Sequence, residues 1–303
     1  MAVPQAPSGA FAPQAAARRL IVISQTAPDA YFRRMKQMHN LLCAFGLVTT
    51  VATGLSAETV DQVLDADLIP GWVMPSGRHM AGLNLELAPG WKTYWRSPGD
   101  AGIPPSFDWS GSENVKSVRV HWPSPVVFHL NDMQSIGYHD QVVLPLEVVA
   151  KDPAAPVRLR LRLDLGVCKD ICVPASVDLT TALGSASTAD RIISAAMQNA
   201  PVTAARAGLR AIACQIDPVA DGLRLTATLA LPSVGDDETV VFESGMKGVW
   251  VAPSVTTRTA GTLVAITEMV PPSGQPFALD RSGVTLTVLA GGRAVEVKGC
   301  PAP

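Results

Sequence analysis

Between Val157 and Thr180 the chain alternates too strictly to be read as anything but strand. Val157, Leu159, Leu161, Leu163, Leu165 and Val167 occupy odd positions, with Arg158, Arg160, Arg162, Asp164 and Gly166 between them. Successive side chains of a strand leave opposite sides of the pleat, so this period of two marks a half-buried antiparallel strand. The pattern resumes with Val173, Ala175, Val177 and Leu179 on odd positions against Pro174, Ser176, Asp178 and Thr180. Only Cys168-Lys169-Asp170-Ile171-Cys172 separates the two runs. Two strands joined through a three-residue loop form a hairpin with Cys168 opposite Cys172. Both cysteines then fall on the polar face, away from the core. Directly opposed residues place their Cβ atoms ~4.5–5.5 Å apart, against ~3.8 Å in a relaxed disulfide. A bridge is formable there, and strained, exposed bridges belong to the labile, exchange-prone class. Lys169 and Arg162 would favour a thiolate, with Asp170 opposing them. Three other readings compete at this point: a static staple, a zinc half-site, and a copper site drawing on Met and His. No second Cys/His pair has zinc-ligand spacing, and His121, His129 and His139 are scattered along the chain.

The rest of the chain is punctuated in the same β-like manner, with 25 Pro and 24 Gly among 303 residues. Strand patterns fit Ala81–Leu87, Trp91–Trp95, Val115–Trp122 and Gln141–Val149, while residues 58–80 read as irregular, broken by Pro70-Gly71 and Pro75-Ser76-Gly77. Residues 187–200 differ. Ser187-Thr188-Ala189-Asp190 resembles a capping box with Asp in place of Glu or Gln, Ile192, Ile193, Ala196 and Met197 form an apolar helical face, and Pro201 ends it. Strand patterns return at Leu223–Leu229, Val240–Glu243, Gly248–Val251, Leu263–Met269 and Val284–Leu289. The expectation is an all-β protein: a β-sandwich over 58–185, a helical linker over 186–205 and a second β-sandwich over 206–303. A hydrophobic content of 48% suffices for packed cores. With 24 Lys/Arg against 26 Asp/Glu, the chain lacks the basic excess of a nucleic-acid binder.

Residues 1–57 read as an extension followed by a secretory signal peptide. Arg33-Arg34-Met35-Lys36 precedes an apolar run from Leu41 to Leu55 that is shorter than the ~20 residues of a membrane helix, and the run closes in small residues ending at Ala57. Met35 or Met38 is the expected start, and the exported protein is expected to begin near Glu58. Cys43 leaves with the signal. Cys168, Cys172, Cys214 and Cys300 remain, an even number that in an oxidising compartment implies two disulfides. The default reading for Cys214 and Cys300, both in the second β-region, is a buried structural bridge.

Gly90-Trp91-Lys92-Thr93-Tyr94-Trp95-Arg96-Ser97-Pro98-Gly99-Asp100-Ala101-Gly102-Ile103-Pro104-Pro105, then Phe107-Asp108-Trp109-Ser110-Gly111-Ser112-Glu113-Asn114, and Cys168-Lys169-Asp170-Ile171-Cys172-Val173-Pro174 carry a family resemblance. From about residue 68 to 183 the chain resembles the periplasmic N-terminal region of the DsbD/ScsB group of thiol:disulfide interchange proteins. The resemblance implies an immunoglobulin-like sandwich in the periplasm. Its Cys pair would accept electrons from a membrane-embedded thiol donor and pass them to thioredoxin-like or other periplasmic disulfide proteins, with no cofactor and no metal. It also implies Cys172 as nucleophile and Cys168 as resolving thiol, Tyr94 as an active-site tyrosine, and a cap loop over His129–Tyr138 that contributes Asp132, Met133, Ile136 and Tyr138. The loop carries Met133 or Ile136 where the family's tip is aromatic, and the cysteines are separated by three residues rather than five. Trp91, Trp95 and Trp109 read as packing residues. Longer members continue into a transmembrane unit and a thioredoxin-like domain, so the relay would need those parts from separate proteins. The rival reading is a non-catalytic periplasmic binding module, for copper handling or assembly, whose disulfides are purely structural.

Overall fold

The structure is a computed structural model that describes residues 60–100, 102–130 and 133–303. The expected extension and signal peptide over 1–57 lie outside the described residues, as does Asp132. Among the described residues no helix is long and apolar enough to cross a membrane.

A single turn, α1 (Val60–Val63), leads into ten strands: β1 (Leu64–Val73), β2 (His79–Leu87), β3 (Lys92–Gly99), β4 (Ser106–Asp108), β5 (Val115–Val120), β6 (Val126–Leu130), β7 (Met133–His139), β8 (Gln141–Ala150), β9 (Arg158–Cys168) and β10 (Cys172–Ala182). They form two sheets, one in the order β1-β2-β8-β5 and one in the order β10-β9-β3-β7-β6, with β4 also on β9. Leu159, Leu161, Leu163, Leu165 and Val167 of β9 are fully buried against Leu83, Leu85, Leu144 and Leu146 of the facing sheet. The period of two thus sets one core face per sheet, as a sandwich requires.

Residues 58–80, expected to be irregular, contain the ten-residue strand β1. Its pairing with β2 breaks between Ile69 and Trp72, where Gly71 has φ +68°. Pro70-Gly71 is a β-bulge on an edge strand, a place where both residues are tolerated, rather than a strand terminator. The helix is also shorter than expected. It runs Arg191–Gln198 (α2), and Asp190 is its N-cap, accepting from Ile192 N and Ile193 N at 2.9 and 3.0 Å. The carboxylate occupies the capping position itself, so Ser187 does not cap the helix. Ile193 packs with Met80 and Val143 on the outer face of the first sheet, and Ile192 is exposed.

The second sandwich follows: β11 (Val202–Thr203), β12 (Ile212–Val219), β13 (Gly222–Leu229), β14 (Thr239–Glu243), β15 (Trp250–Val251), β16 (Val255–Thr259), β17 (Thr262–Val270), β18 (Thr285–Ala290) and β19 (Arg293–Lys298). One sheet runs β11-β19-β18-β14, the other β12-β13-β17-β15 with β16 also on β17. The chain is therefore all-β, with two immunoglobulin-like sandwiches joined by a short helix.

The β11-β19-β18-β14 sheet is buried on both faces. Phe242, Leu286, Val288, Val295 and Val297 fill the second sandwich's core, whereas Val241, Leu289 and Ala294, on the alternate positions, join the hydrophobic cluster of the first sandwich. This explains why β18 is buried almost continuously and does not alternate.

Candidate functional site

The site lies at the turn of the β9–β10 hairpin. Cys168 and Cys172 are directly opposed and joined by a disulfide, with Cα atoms 4.1 Å apart. Pro174 explains the close approach. It has no N–H and pairs with Gly166, so that pair is of the non-hydrogen-bonded kind. Pairs alternate along an antiparallel ladder, so Cys168 and Cys172, two residues on, are of the same kind, in which the chains come closest.

The two sulfurs differ in access. Cys172 is exposed, whereas Cys168 is only 1% exposed. The expectation that both cysteines face solvent therefore holds for one of them. Cys168 is on the outer face of its sheet, but that face is covered. Thr93 pairs with both Val167 and Tyr138 on the core side, which turns its neighbours Lys92 and Tyr94 outward. The Tyr94 hydroxyl donates to Cys168 Sγ at 2.8 Å and lies 3.1 Å from Cys172 Sγ. Burial raises the Tyr94 pKa, so the phenol stays protonated and remains a donor.

Glycine makes this arrangement fit. A Cβ on Gly166 would lie 2.9 Å from Ile103 Cβ and 3.2 Å from Tyr94 Cδ2. A Cβ on Gly102 would lie 2.8 Å from Tyr94 Cδ1. Tyr94 is thus held between the bare backbone of β9 and the segment that follows β3, with Ile103 covering Gly166. Sequence reasoning missed Ile103, Gly102 and Lys92. One signal was present: the polar side of β9 stops being polar at Gly166, next to Cys168.

Lys92 pairs with Cys168 across the sheet. Its ammonium reaches Ser135 Oγ at 3.1 Å and stands 4.8 Å over the Phe128 ring, and desolvation lowers its pKa. Lys169 folds back on Gly90, its Cε 3.2 Å from where a Cβ would stand. Arg162 is six residues up β9, about 20 Å from the sulfurs at ~3.4 Å per residue, and lies near Asp164. It therefore does not polarise a thiolate at Cys168.

The described parts of the expected cap segment, His129 and Leu130 on β6 and Met133–Tyr138 on β7, lie on paired strands. Ile136 is 1% exposed in the core, and Tyr138 is buried with its hydroxyl donating to Pro123 O at 2.8 Å. Both have even numbers on β7 and share the core face, so neither covers the disulfide. Met133 is exposed at the hairpin end. The side chain seen against Cys168 is Tyr94, with Ile103 beside it over Gly166.

Cys214 and Cys300 are bridged at a separation of 86 residues, and both are buried in the second core. Arg281 Nη1 donates to Cys214 O and Cys300 O at 2.8 and 3.2 Å. Of the histidines, His121 pairs with Glu147 at 3.0 Å and His139 with Asp140 at 2.6 Å. Among the described residues no three His, Cys, Asp or Glu side chains are grouped as metal ligands.

Residues 61–184 match the sequence model of the family described as thiol:disulfide interchange protein DsbD, N-terminal. The fold is similar to the crystal structure of the N-terminal periplasmic domain of ScsB from Proteus mirabilis. The TM-score is 0.62 at 24% identity, covering 81% of this chain and 96% of that one. No curated protein sequence matches this chain.

Proposed function

We propose, for a chain whose residues 61–184 match the family model of the DsbD N-terminal domain, that the Cys168–Cys172 pair relays electrons. The source is a membrane-embedded thiol donor and the recipients are oxidised proteins of the periplasm, where this protein resides after export. The reading rests on one observation above others: an exposed cysteine and a buried cysteine are joined beneath a single protonated hydroxyl.

A donor thiolate attacks the accessible Cys172 Sγ in line with the disulfide. The Cys168–Cys172 bond breaks and Cys168 leaves as a thiolate. The Tyr94 O–H, 2.8 Å from that sulfur, donates to the charge as it forms. A second donor thiolate then attacks the donor sulfur of the mixed disulfide. Cys172 is released reduced, and the donor is left as a disulfide. Outward transfer runs the same steps in reverse. Cys172 thiolate attacks a substrate disulfide and expels one substrate thiolate. Cys168 then attacks Cys172 Sγ, re-forming the bridge and releasing the second. Two electrons pass in each direction, and protons equilibrate with water.

Titration against a glutathione or dithiothreitol couple, with alkylation and peptide mapping, measures each pair separately. Cys168–Cys172 is expected to reduce well before Cys214–Cys300, because attack needs access and both sulfurs of the second pair are buried. Structural bridges of secreted proteins commonly lie below about −300 mV. Equal resistance of both pairs would make the first one a staple and favour a binding module. A Cys168→Ala variant is expected to trap partners on Cys172.

A further inference from the structure

The second sandwich reaches the strand that carries Tyr94. Two residues beyond Tyr94, Arg96 forms a fork with Glu243: Nε to Oε1 and Nη2 to Oε2, both at 2.9 Å. Its Nη2 also donates to Glu296 Oε2 at 3.0 Å, and its guanidinium carbon lies 4.3 Å over the Trp95 ring. Glu243 ends β14 and Glu296 is on β19, both on the face of their sheet that packs against the first sandwich. All three charged side chains are about three-quarters buried. A guanidinium shared by two carboxylates in that setting fixes position as well as charge, because the planar fork accepts few geometries.

The location matters more than the ion pairs themselves. The register between β3 and β7 is regular through Tyr94 and Gly137 and resumes only at Gly99 and Ser135. Between those points β3 has no ladder with β7 to hold it, and Arg96 is in that gap. The same stretch leads into Gly102, whose bare Cα lies against both Pro98 and the Tyr94 ring. In the sheet order β10-β9-β3-β7-β6, the disulfide is at one side and the second sandwich packs near the other, with β3 between them.

We propose that Arg96 is a positioning residue. Anchored to Glu243 and Glu296, it fixes the irregular end of β3 so that the Tyr94 hydroxyl stays on the two sulfurs. The second sandwich thereby sets the reactivity of a disulfide carried by the first. The inference rests on the redox reading of Cys168–Cys172, and it assigns to that reading a role for the second sandwich.

The test uses the reduced full-length exported protein and follows alkylation of Cys172 by iodoacetamide across pH, together with the reduction potential of the pair. The double substitution Glu243→Gln/Glu296→Gln keeps shape and removes the two carboxylate charges. Acting directly on the sulfurs, that loss would favour the thiolate, opposite to the effect of a loss of positioning. It is expected to slow alkylation below the thiol pKa about three- to tenfold, since one pKa unit is a factor of ten in thiolate, partly offset by higher intrinsic nucleophilicity. The potential is expected to become more negative, because the reduced form loses a stabilising donor. Arg96→Lys keeps the charge without the fork and is expected to fall between. In the Tyr94→Phe background, the glutamate changes are expected to shift the rate less than twofold, since residues acting through one group are not additive. An unchanged pH profile, or an equal shift with and without the tyrosine hydroxyl, overturns the positioning role. If the unsubstituted pair itself resists reduction, the redox reading fails and this inference fails with it, which distinguishes the two failures.

Discussion

Tyr94 owes its place to three residue-level facts: strand parity turns it outward, Gly166 leaves a hollow in β9, and Gly102 lets the following segment close over it. Removing only its oxygen isolates the chemistry from the packing. Tyr94→Phe is expected to keep the disulfide and the fold while slowing thiol exchange at Cys172 about tenfold, the scale of one hydrogen bond to a charged group. Exchange kinetics with a small-molecule disulfide measure this, and an unaltered rate would leave the hydroxyl a packing feature. The buried tyrosines also set an alkaline limit. Burial holds Tyr94 above its ordinary value of 10.0, and burial holds Tyr138 well above it, with Arg96 opposing. In the unfolded chain both ionise near the ordinary value. Above about pH 10 the unfolded state therefore binds fewer protons than the folded one, and stability falls as pH rises. The tyrosine contribution to the urea midpoint is expected to fall above about pH 10, less steeply in Tyr138→Phe. A midpoint that holds steady into the tyrosine range would contradict this.

At the scale of elements, the β9–β10 hairpin was legible from sequence because its alternation is uninterrupted and its loop is short. The non-hydrogen-bonded character of the cysteine pair was also written there, in Pro174. Strand β1 was not legible, because Pro70-Gly71 has the same appearance in a bulge as in a loop, and only pairing with β2 tells them apart. β12, β16 and β19 lacked the long alternation that identified β13 and β17. The β6–β7 hairpin was hidden by an expected cap loop, although Ile136 and Tyr138 at spacing two already fit a strand facing the core. Tyr94 was reached through resemblance, and the arrangement around it depends on segments brought together only by folding. The second disulfide belongs to this scale because it ties β12 to the end of the chain after β19. Closing a loop of that size contributes roughly 4–5 kcal/mol in the chain-entropy model. Cys214→Ala is expected to lower stability by about that amount in equilibrium denaturation while leaving exchange at Cys172 intact. Loss of exchange together with stability would show that the second core reaches the site more strongly than Arg96 alone implies.

For the whole molecule, the arrangement of the faces predicts how the two sandwiches respond to stress. A sheet buried on both sides cannot lose one neighbour without exposing apolar surface. Val241, Leu289 and Ala294 have their backbones in the second sandwich and their side chains in the cluster of the first, with Leu289 only 1% exposed. Arg96 adds a partly buried charge cluster across the same boundary, and leaving its carboxylates unpaired there is unfavourable. Both effects couple the unfolding of one sandwich to the other. Heating the oxidised protein is therefore expected to give one transition, with calorimetric and van't Hoff enthalpies equal. Leu289→Ala removes the largest apolar side chain that the second sandwich lends to the first, at a cost of about 2–5 kcal/mol for a buried leucine. Because that loss falls on the boundary, the variant is expected to split or broaden the transition. Leu225→Ala, in the second core alone, is expected to lower the midpoint and keep a single transition, provided the boundary stays intact. Two separated transitions in the unsubstituted protein would show that the sandwiches are independent bodies, and a Leu289→Ala profile as sharp as that of Leu225→Ala would show that the shared face does not couple them.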